Sequence, residues 1–150
     1  MTKYSDLQDS LAAGLARDQK THDKARRFCS GFADKFATFL GVAAENVFFV
    51  KQEFQVDATS GKLIPAEDPI EHADGSMTAT LVFRVDNTKV FTPFSLSYDP
   101  LADALTVTPG KNQQQQFDVR QGLDPICEFV HALATERFSS GLKIDRAVRV

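Results

Sequence analysis

The chain has 150 residues, which is enough for one domain with a substantial core. Its 43% hydrophobic and 25% charged content is ordinary for a globular protein, and its apolar runs are far shorter than the roughly 20 residues that a membrane span needs. The net charge of -3 lacks the basic excess typical of nucleic-acid-binding proteins, so we expect neither a nucleic acid nor a membrane as partner.

The acidic charge is concentrated in the middle of the chain. Residues 47–110 carry four Lys and Arg against nine Asp and Glu, a balance of -5, whereas residues 1–46 (seven against six) and 111–150 (six against five) each come to +1. An acidic centre favours a basic partner. Cys29 and Cys127 make no disulfide framework, and residues 1–20 contain no apolar signal-peptide core, which predicts a cytoplasmic protein.

A long first helix is predicted from Ser5 to Gly41. Its start is indicated by Ser5 and Gln8 at capping-box spacing, and its end by Gly41, which can close a final turn in the left-handed conformation. At about 100° per residue its apolar side chains fall on one stripe. The stripe consists of Leu7, Leu11, Leu15, Ala25, Phe28, Cys29, Phe32, Phe36, Phe39 and Leu40.

The length of this helix raises a geometric problem. About 35 helical residues span about 50 Å, whereas a strand of about ten residues spans only about 33 Å. Either the helix breaks near Asp18–His22, or its N-terminal end overhangs the sheet. In the second case residues 5–20 form a projecting arm on a single α+β domain (1–150), and Leu7, Leu11 and Leu15 need another partner.

The central region alternates with period two, which predicts strands. In Val47–Asp57 the alternation directs Phe48, Val50, Phe54 and Val56 to one face. An acidic connection, Ala58–Gly75, follows; it contains Glu67, Asp68, Glu71, His72 and Asp74. Ser76–Asp86 is the clearest strand.

A tight turn at Asn87–Thr88 joins that strand to the next one and fixes their predicted register. The register pairs Val85 with Val90, Leu81 with Phe94, Ala79 with Leu96 and Met77 with Tyr98. Pro93 removes an amide donor and so indicates a sheet edge or a bulge.

The remaining elements complete an α+β fold. Ala104–Thr108 is a further strand, and Phe117 and Val119 add a short fifth one. A second helix begins at Leu123, with Asp124 as N-cap and Pro125 in the first turn, and ends at Gly141. The tail, Leu142–Val150, is interpreted as a short strand, a fraying end or a docking segment. We therefore predict a long N-terminal helix, a four- or five-stranded antiparallel meander and a C-terminal helix, with both helices on one sheet face.

Thirteen phenylalanines and no tryptophan indicate an aromatic core between helix and sheet. The predicted members are Phe28, Phe32, Phe36 and Phe39 on the helix and Phe48, Phe54, Phe83 and Phe94 on the strands. A helix on a concave sheet can also enclose a ligand cavity. The polar side chains expected to line such a pocket are Asp18, His22, Gln52, Tyr98 and His131.

Cysteine and histidine side chains are the residues of this sequence that could bind a metal or act as nucleophiles. Cys127 and His131 lie one helical turn apart, and with Cys29 and His22 they would make a ligand set suited to zinc. The closely spaced ligand pairs of known zinc sites are missing, however, so no metal and no cofactor are predicted. Because no glycine-rich phosphate loop and no Ser-His-Asp order occurs, we predict no catalytic residue.

Two functional hypotheses follow from these patterns. The first is a non-enzymatic protein-interaction module (adaptor, chaperone-like or inhibitor) that forms a homodimer or binds another protein through Leu7, Leu11 and Leu15. The alternative is a small-ligand-binding protein or small enzyme that uses a cavity between helix and sheet.

Overall fold

The structure, a computed structural model, describes residues 2–51, 55–56, 63–64, 68–73, 76–112, 115–140 and 147–150. It has the predicted α+β fold, with a long N-terminal helix, a C-terminal helix and an antiparallel sheet. In chain order the elements are α1 (Lys3–Leu40), a short 3-10 turn (Ala44–Asn46), β1 (Val47–Val50), β2 (Gln55–Val56), β3 (Leu63–Ile64), β4 (Glu71–Ala73), β5 (Ser76–Val85), β6 (Thr88–Asp99), β7 (Ala104–Pro109), β8 (Phe117–Asp118), a second 3-10 turn (Val119–Gln121), α2 (Asp124–Ser139) and β9 (Ala147–Arg149).

Helix α1 is continuous over 38 residues, which corresponds to a length of about 57 Å. It does not break at Asp18–His22, so the overhang is the alternative that the structure adopts. The predicted start of this helix at Ser5 is wrong. Thr2 is the N-cap, and its Oγ1 accepts a 3.1 Å hydrogen bond from the amide of Ser5. A capping oxygen three residues ahead of Ser5 allows the helix to begin one turn earlier than the Ser5–Gln8 pair suggested.

The C-terminal end of α1 is as predicted. Gly41 has φ 75 in the left-handed region, and its amide donates to the carbonyl of Thr38 at 3.1 Å. The amide of Val42 then reaches back to the carbonyl of Ala37 at 3.0 Å. These bonds satisfy carbonyls that the helix would otherwise leave without partners.

The main sheet is built around the β5–β6 hairpin. Strands β1 and β4 pair with different parts of β5, while β7 and β9 pair with different parts of β6, and β8 lies beyond β7. Over the described residues the sheet thus has seven strands rather than four or five, and β2 and β3 form a separate two-stranded ribbon. The tail supplies β9, which runs parallel to β6. This confirms the strand interpretation for the described part of the tail.

The hairpin register differs from the prediction by two residues. Val85 lies opposite Thr88, and Leu81 opposite Thr92, because the two-residue turn is Asp86–Asn87, one position earlier than predicted. Asp86 adopts φ 54 there, a conformation that Asp tolerates better than most residues. A slip of two residues keeps every side chain on its predicted face, so the apolar alternation cannot distinguish the two registers.

Pro93 lies in the middle of the sheet rather than at an edge or a bulge. Its position in β6 falls between the stretch that pairs with β9 (Lys89–Phe91) and the stretch that pairs with β7 (Phe94–Asp99). On that side the carbonyl of Pro93 accepts a 2.8 Å bond from the amide of Gly110, which follows β7. Pro93, which has no amide donor, therefore lies where the neighbour of β6 changes from β9 to β7, so no ladder hydrogen bond is lost there.

Strand β1 faces the helix with the opposite set of side chains from the one predicted. Phe49 packs against Phe32 of α1 and Phe94 of β6, with ring centres 6.2 and 5.5 Å away. Phe48 and Val50 contact Val82 and Phe91 on the other sheet face. The phase was ambiguous because all four residues of β1 are apolar; pairing with β5, which places Phe49 opposite Leu81, decides it.

The rest of the aromatic core follows the prediction where the structure describes it. Phe28, Phe32, Phe36, Phe83 and Phe94 are buried. Phe39, by contrast, is 43% exposed and packs its ring on Phe36. Phe54 lies outside the described residues.

Helix α2 covers the same sheet face as α1 and buries Ile126, Cys127 and Val130. Asp124 is its first helical residue and makes no side-chain capping bond, so its predicted role as N-cap is wrong. Its carboxylate instead forms an ion pair with Lys35 of α1 at 3.2 Å. The predicted stop at Gly141 lies outside the described residues.

Truncating the central ring of the core tests this packing. We expect Phe32→Ala, at a fully buried position between Phe28, Phe36, Phe49 and Phe94, to lower the free energy of unfolding by about 3–5 kcal/mol in urea denaturation. Leu101→Ala, at a side chain that is 98% exposed, is the control and should change it by less than about 0.5 kcal/mol. Equal effects of the two substitutions would contradict the assigned core.

Candidate functional site

A row of large apolar side chains lies exposed on the first half of α1. Tyr4, Leu7, Leu11 and Leu15 are 70%, 69%, 64% and 60% exposed, and the first buried residue of the helix is Ala25. We call these four side chains the leucine row, and residues 3–20 of α1 the arm. Because α1 is one continuous helix, the leucine row lies on the same helix face as the apolar residues that are buried in its C-terminal half.

The arm is separated from the sheet at its base by a groove of about 730 Å³, which we call the base groove. One wall belongs to the sheet and carries Met77, Leu96 and Tyr98. The other wall belongs to α1, where Leu15, Asp18 and His22 occupy successive turns of the same stripe. The remaining lining residues are Gln19, Thr21, His72 and Ser97.

At the inner end of the groove, three titratable side chains form a hydrogen-bonded chain. Nε2 of His22 lies 2.7 Å from Oδ2 of Asp68, and Nδ1 of the same ring lies 2.8 Å from Nε2 of His72. His22 comes from α1, Asp68 from the segment before β4, and His72 from β4 itself. This hydrogen-bonded chain of side chains therefore links helix α1 to the edge of the sheet, close to the point where burial of α1 begins.

The two imidazole rings are joined by one N–H···N hydrogen bond. They are nearly coplanar, with an interplanar angle of 18° and ring centres 5.1 Å apart, which is the arrangement of an in-plane N–H···N bond. One of the two facing nitrogens must donate and the other accept.

Asp68 is the fixed acceptor of this chain. Partial burial acts to raise the pKa of Asp68, but the bond from the Ile70 amide at 3.2 Å, the bond from His22 and the positive charge of Arg26 outweigh it. The net result is a pKa below the usual aspartate value. An ionised carboxylate at Nε2 requires a proton on that nitrogen, which orients the His22 ring.

A second polar cluster ties Tyr98 to the outer side of α1. The hydroxyl of Tyr98 donates to the carboxylate of Asp103, and this carboxylate also lies 3.4 Å from Nζ of Lys24. The bond to Asp103 raises the pKa of the Tyr98 phenol. The polar end of Tyr98 is thus already engaged, and its ring presents an apolar wall to the base groove.

The structure brings together only part of the predicted pocket. Asp18, His22 and Tyr98 line the base groove, whereas His131 is exposed on α2 with its ring 5.8 Å from that of Phe39. Gln52 lies outside the described residues.

Sequence reasoning missed the partners of His22. Asp68 and His72 belong to the acidic 58–75 connection, and their only signal in the sequence was a histidine among carboxylates in a segment too long for an ordinary turn.

The two thiols are buried in the core. Burial raises the pKa of Cys29 to about 12 and that of Cys127 to about 11, with the negative charges of Asp68 and Asp124 adding to the respective effects. Such thiols are poor nucleophiles. Among the described residues, no group of three or more His, Cys, Asp and Glu side chains is arranged to hold a metal ion. In the same part of the chain, no helix is long and apolar enough to cross a membrane.

Comparison of the chain with known protein families, with curated protein sequences and with solved structures finds no match. The two features of the structure that bear on function are the leucine row and the base groove.

Acid titration tests the role of Asp68. A carboxylate whose folded-state pKa is depressed stabilises the fold above its unfolded pKa of about 3.9, and this contribution is lost as the pH falls through the folded-state value. We expect Asp68→Asn to unfold at a lower temperature than the parent at pH 6 and to lose less stability between pH 6 and pH 3. Asp9→Asn, on the exposed arm, is the matched control. Parallel melting curves of parent and Asp68→Asn across this pH range would contradict the assignment.

Thiol reactivity tests the burial of both cysteines. At pH 8 we expect the folded protein to react with an aromatic disulfide reagent at least about 100-fold more slowly than in 8 M urea, where two thiols per chain should react at once. Rapid modification of either thiol in the folded protein would show that the helix–sheet interface is open.

Proposed function

We propose that this chain is a non-enzymatic protein-interaction module that associates with a second copy of itself through the leucine row. The observation that carries the proposal is the row itself. It consists of four large apolar side chains, each at least 60% exposed, on one face of an unbroken helix that the sheet does not reach.

The energetics favour burial of this row. Fully burying a leucine-sized side chain contributes about 1.5–3 kcal/mol, and helices in proteins gain most of their stability from packing an apolar face against a neighbour. Contiguous exposed apolar surface of this kind marks protein-binding sites. The spacing of Leu7, Leu11 and Leu15 at four-residue intervals matches the seam between two packed helices.

The charges of the arm support a second copy of the chain as partner. Residues 3–10 carry one Lys and two Asp, a balance of -1, and residues 16–20 carry one Lys and one Arg against one Asp, a balance of +1. Two arms that run in opposite directions bring these unlike ends together. Adaptor, chaperone-like and inhibitor roles all use such a module, and a basic further partner would suit the acidic 47–110 region.

A cytoplasmic setting belongs to the same proposal. Cys29 and Cys127 are both free and buried, and they serve here as small apolar core residues. Unpaired cysteines suit a reducing compartment.

The base groove supports a second candidate function, the binding of a small ligand. Its volume of about 730 Å³ lies in the range of small-molecule sites, and Asp18 and His72 offer polar groups beside the apolar Met77 and Leu96. The groove is contiguous with the leucine row through Leu15, so a helix that covers the row would compete with a ligand for this space.

Charge placed in the row tests the first candidate. We expect the parent chain to be a dimer in size-exclusion chromatography with light scattering, and Leu11→Asp to be a monomer with an unchanged circular-dichroism spectrum, because Leu11 makes no contribution to the buried core. Leu101→Asp, at an exposed leucine far from the row in sequence, is the control and should remain dimeric. A monomeric parent at about 100 μM would contradict self-association.

A further inference from the structure

We infer that two arms pair antiparallel about a two-fold axis at Leu11, so that the first turn of each helix enters the base groove of the other copy. This inference rests on the proposed self-association and specifies its geometry. It makes the base groove a composite site, completed only by the second chain.

The spacing of the row is symmetric about Leu11. Leu7 and Leu15 each lie four residues away, so an antiparallel pair centred on Leu11 sets residue i beside residue 22 - i of the other copy. Leu7 then packs on Leu15 of the second copy at both ends, and Leu11 packs on its own counterpart. A pair of this type is isologous and closes with two chains, as a two-fold interface requires.

The charges beside the seam agree with this direction. In the antiparallel pair Lys3, at the edge of the seam, lies within one residue of the level of Asp18 of the second copy, which lies in the seam itself. A parallel pair would instead set Lys3 beside Lys3 and Asp18 beside Asp18. Like charges across a helix seam are unfavourable, so the sequence of the arm selects against the parallel arrangement.

The same register brings Tyr4 of the second copy level with Asp18, which lines the base groove. The groove walls at this level are apolar on the sheet side, where Met77 and Leu96 are found, and an aromatic ring can fill the space between helix and sheet. The amide end of the incoming helix carries a partial positive charge, which favours its approach to the carboxylate of Asp18.

The hydrogen-bonded chain of His22, His72 and Asp68 closes the inner end of the groove and limits how far the second helix can enter. The arm that remains free of the sheet, residues 3–20, is about 27 Å long, and pairing about Leu11 uses residues 3–19 of each copy. The length of the exposed helix and the position of the His22–His72–Asp68 chain are therefore both consistent with pairing centred on Leu11.

Single-cysteine crosslinking tests the arrangement. Leu11→Cys should form an intermolecular disulfide under mild oxidation, because its counterpart lies on the two-fold axis. Leu7→Cys alone and Leu15→Cys alone should not, since each residue is eight positions, or about 12 Å, from its own counterpart, beyond the roughly 7 Å limit for Cα atoms of a disulfide. An equimolar mixture of these two variants should crosslink as a heterodimer. The buried Cys29 and Cys127 stay out of this chemistry, and Leu101→Cys is the exposed control.

Charge exchange gives an independent readout in solution. Lys3→Asp and Asp18→Lys should each weaken the dimer by roughly 2- to 30-fold in dissociation constant, since each creates like charges at two symmetric places. The double variant Lys3→Asp/Asp18→Lys should return to the affinity of the parent. Analytical ultracentrifugation at 50 mM salt measures all four proteins.

The outcomes separate this inference from the proposed function. A parent dimer in which Leu7→Cys crosslinks with itself as fast as Leu11→Cys would overturn the antiparallel pairing and leave self-association intact. A dimer without charge-exchange recovery would overturn the register. A monomeric parent, with no crosslink at Leu11→Cys, would remove both.

Discussion

The structure depends on a mismatch between one helix and the sheet that covers it. Helix α1 carries a single apolar stripe along its 38 residues, but its buried residues lie only between Ala25 and Ala37. Strands β5 and β6, the longest of the sheet, have 10 and 12 residues, and a strand of 12 residues spans about 40 Å at most. The sheet therefore shelters the aromatic end of the stripe and leaves the leucine row uncovered.

The change from buried to exposed helix is marked by polar chemistry. His22 lies on the stripe between Leu15 and Ala25, where a hydrophobic side chain would be expected if burial continued. Its ring nitrogens are satisfied by Asp68 and His72, so the helix is held to the edge of the sheet by directional bonds at the point where apolar contact ends. This polar contact also bounds the base groove, and the two candidate functions of the molecule thus meet at one place.

The sequence predicted features that depend on local periodicity and failed on features that depend on strand pairing. The stripe, the Gly41 stop and the β5–β6 hairpin were readable because each reflects spacing within one segment. The phase of β1 was not, because Phe48 and Phe49 are equally apolar and only pairing with β5 chooses between them. The register of the β5–β6 hairpin could not be predicted for a related reason: a slip of two residues leaves every side chain on the same face of the sheet.

The same distinction between local spacing and long-range pairing applies to the candidate site. By itself the amino-acid sequence determined that Leu7, Leu11 and Leu15 share one face with the core phenylalanines, and that Asp18 and His22 lie between them, because helical geometry fixes which residues align. Only the tertiary structure decided that the sheet stops short of this row, and that Asp68 and His72 arrive beside His22 from 46 and 50 residues away. Contacts over such separations are set by how strands pair and where chain segments return, which no spacing within a helix encodes.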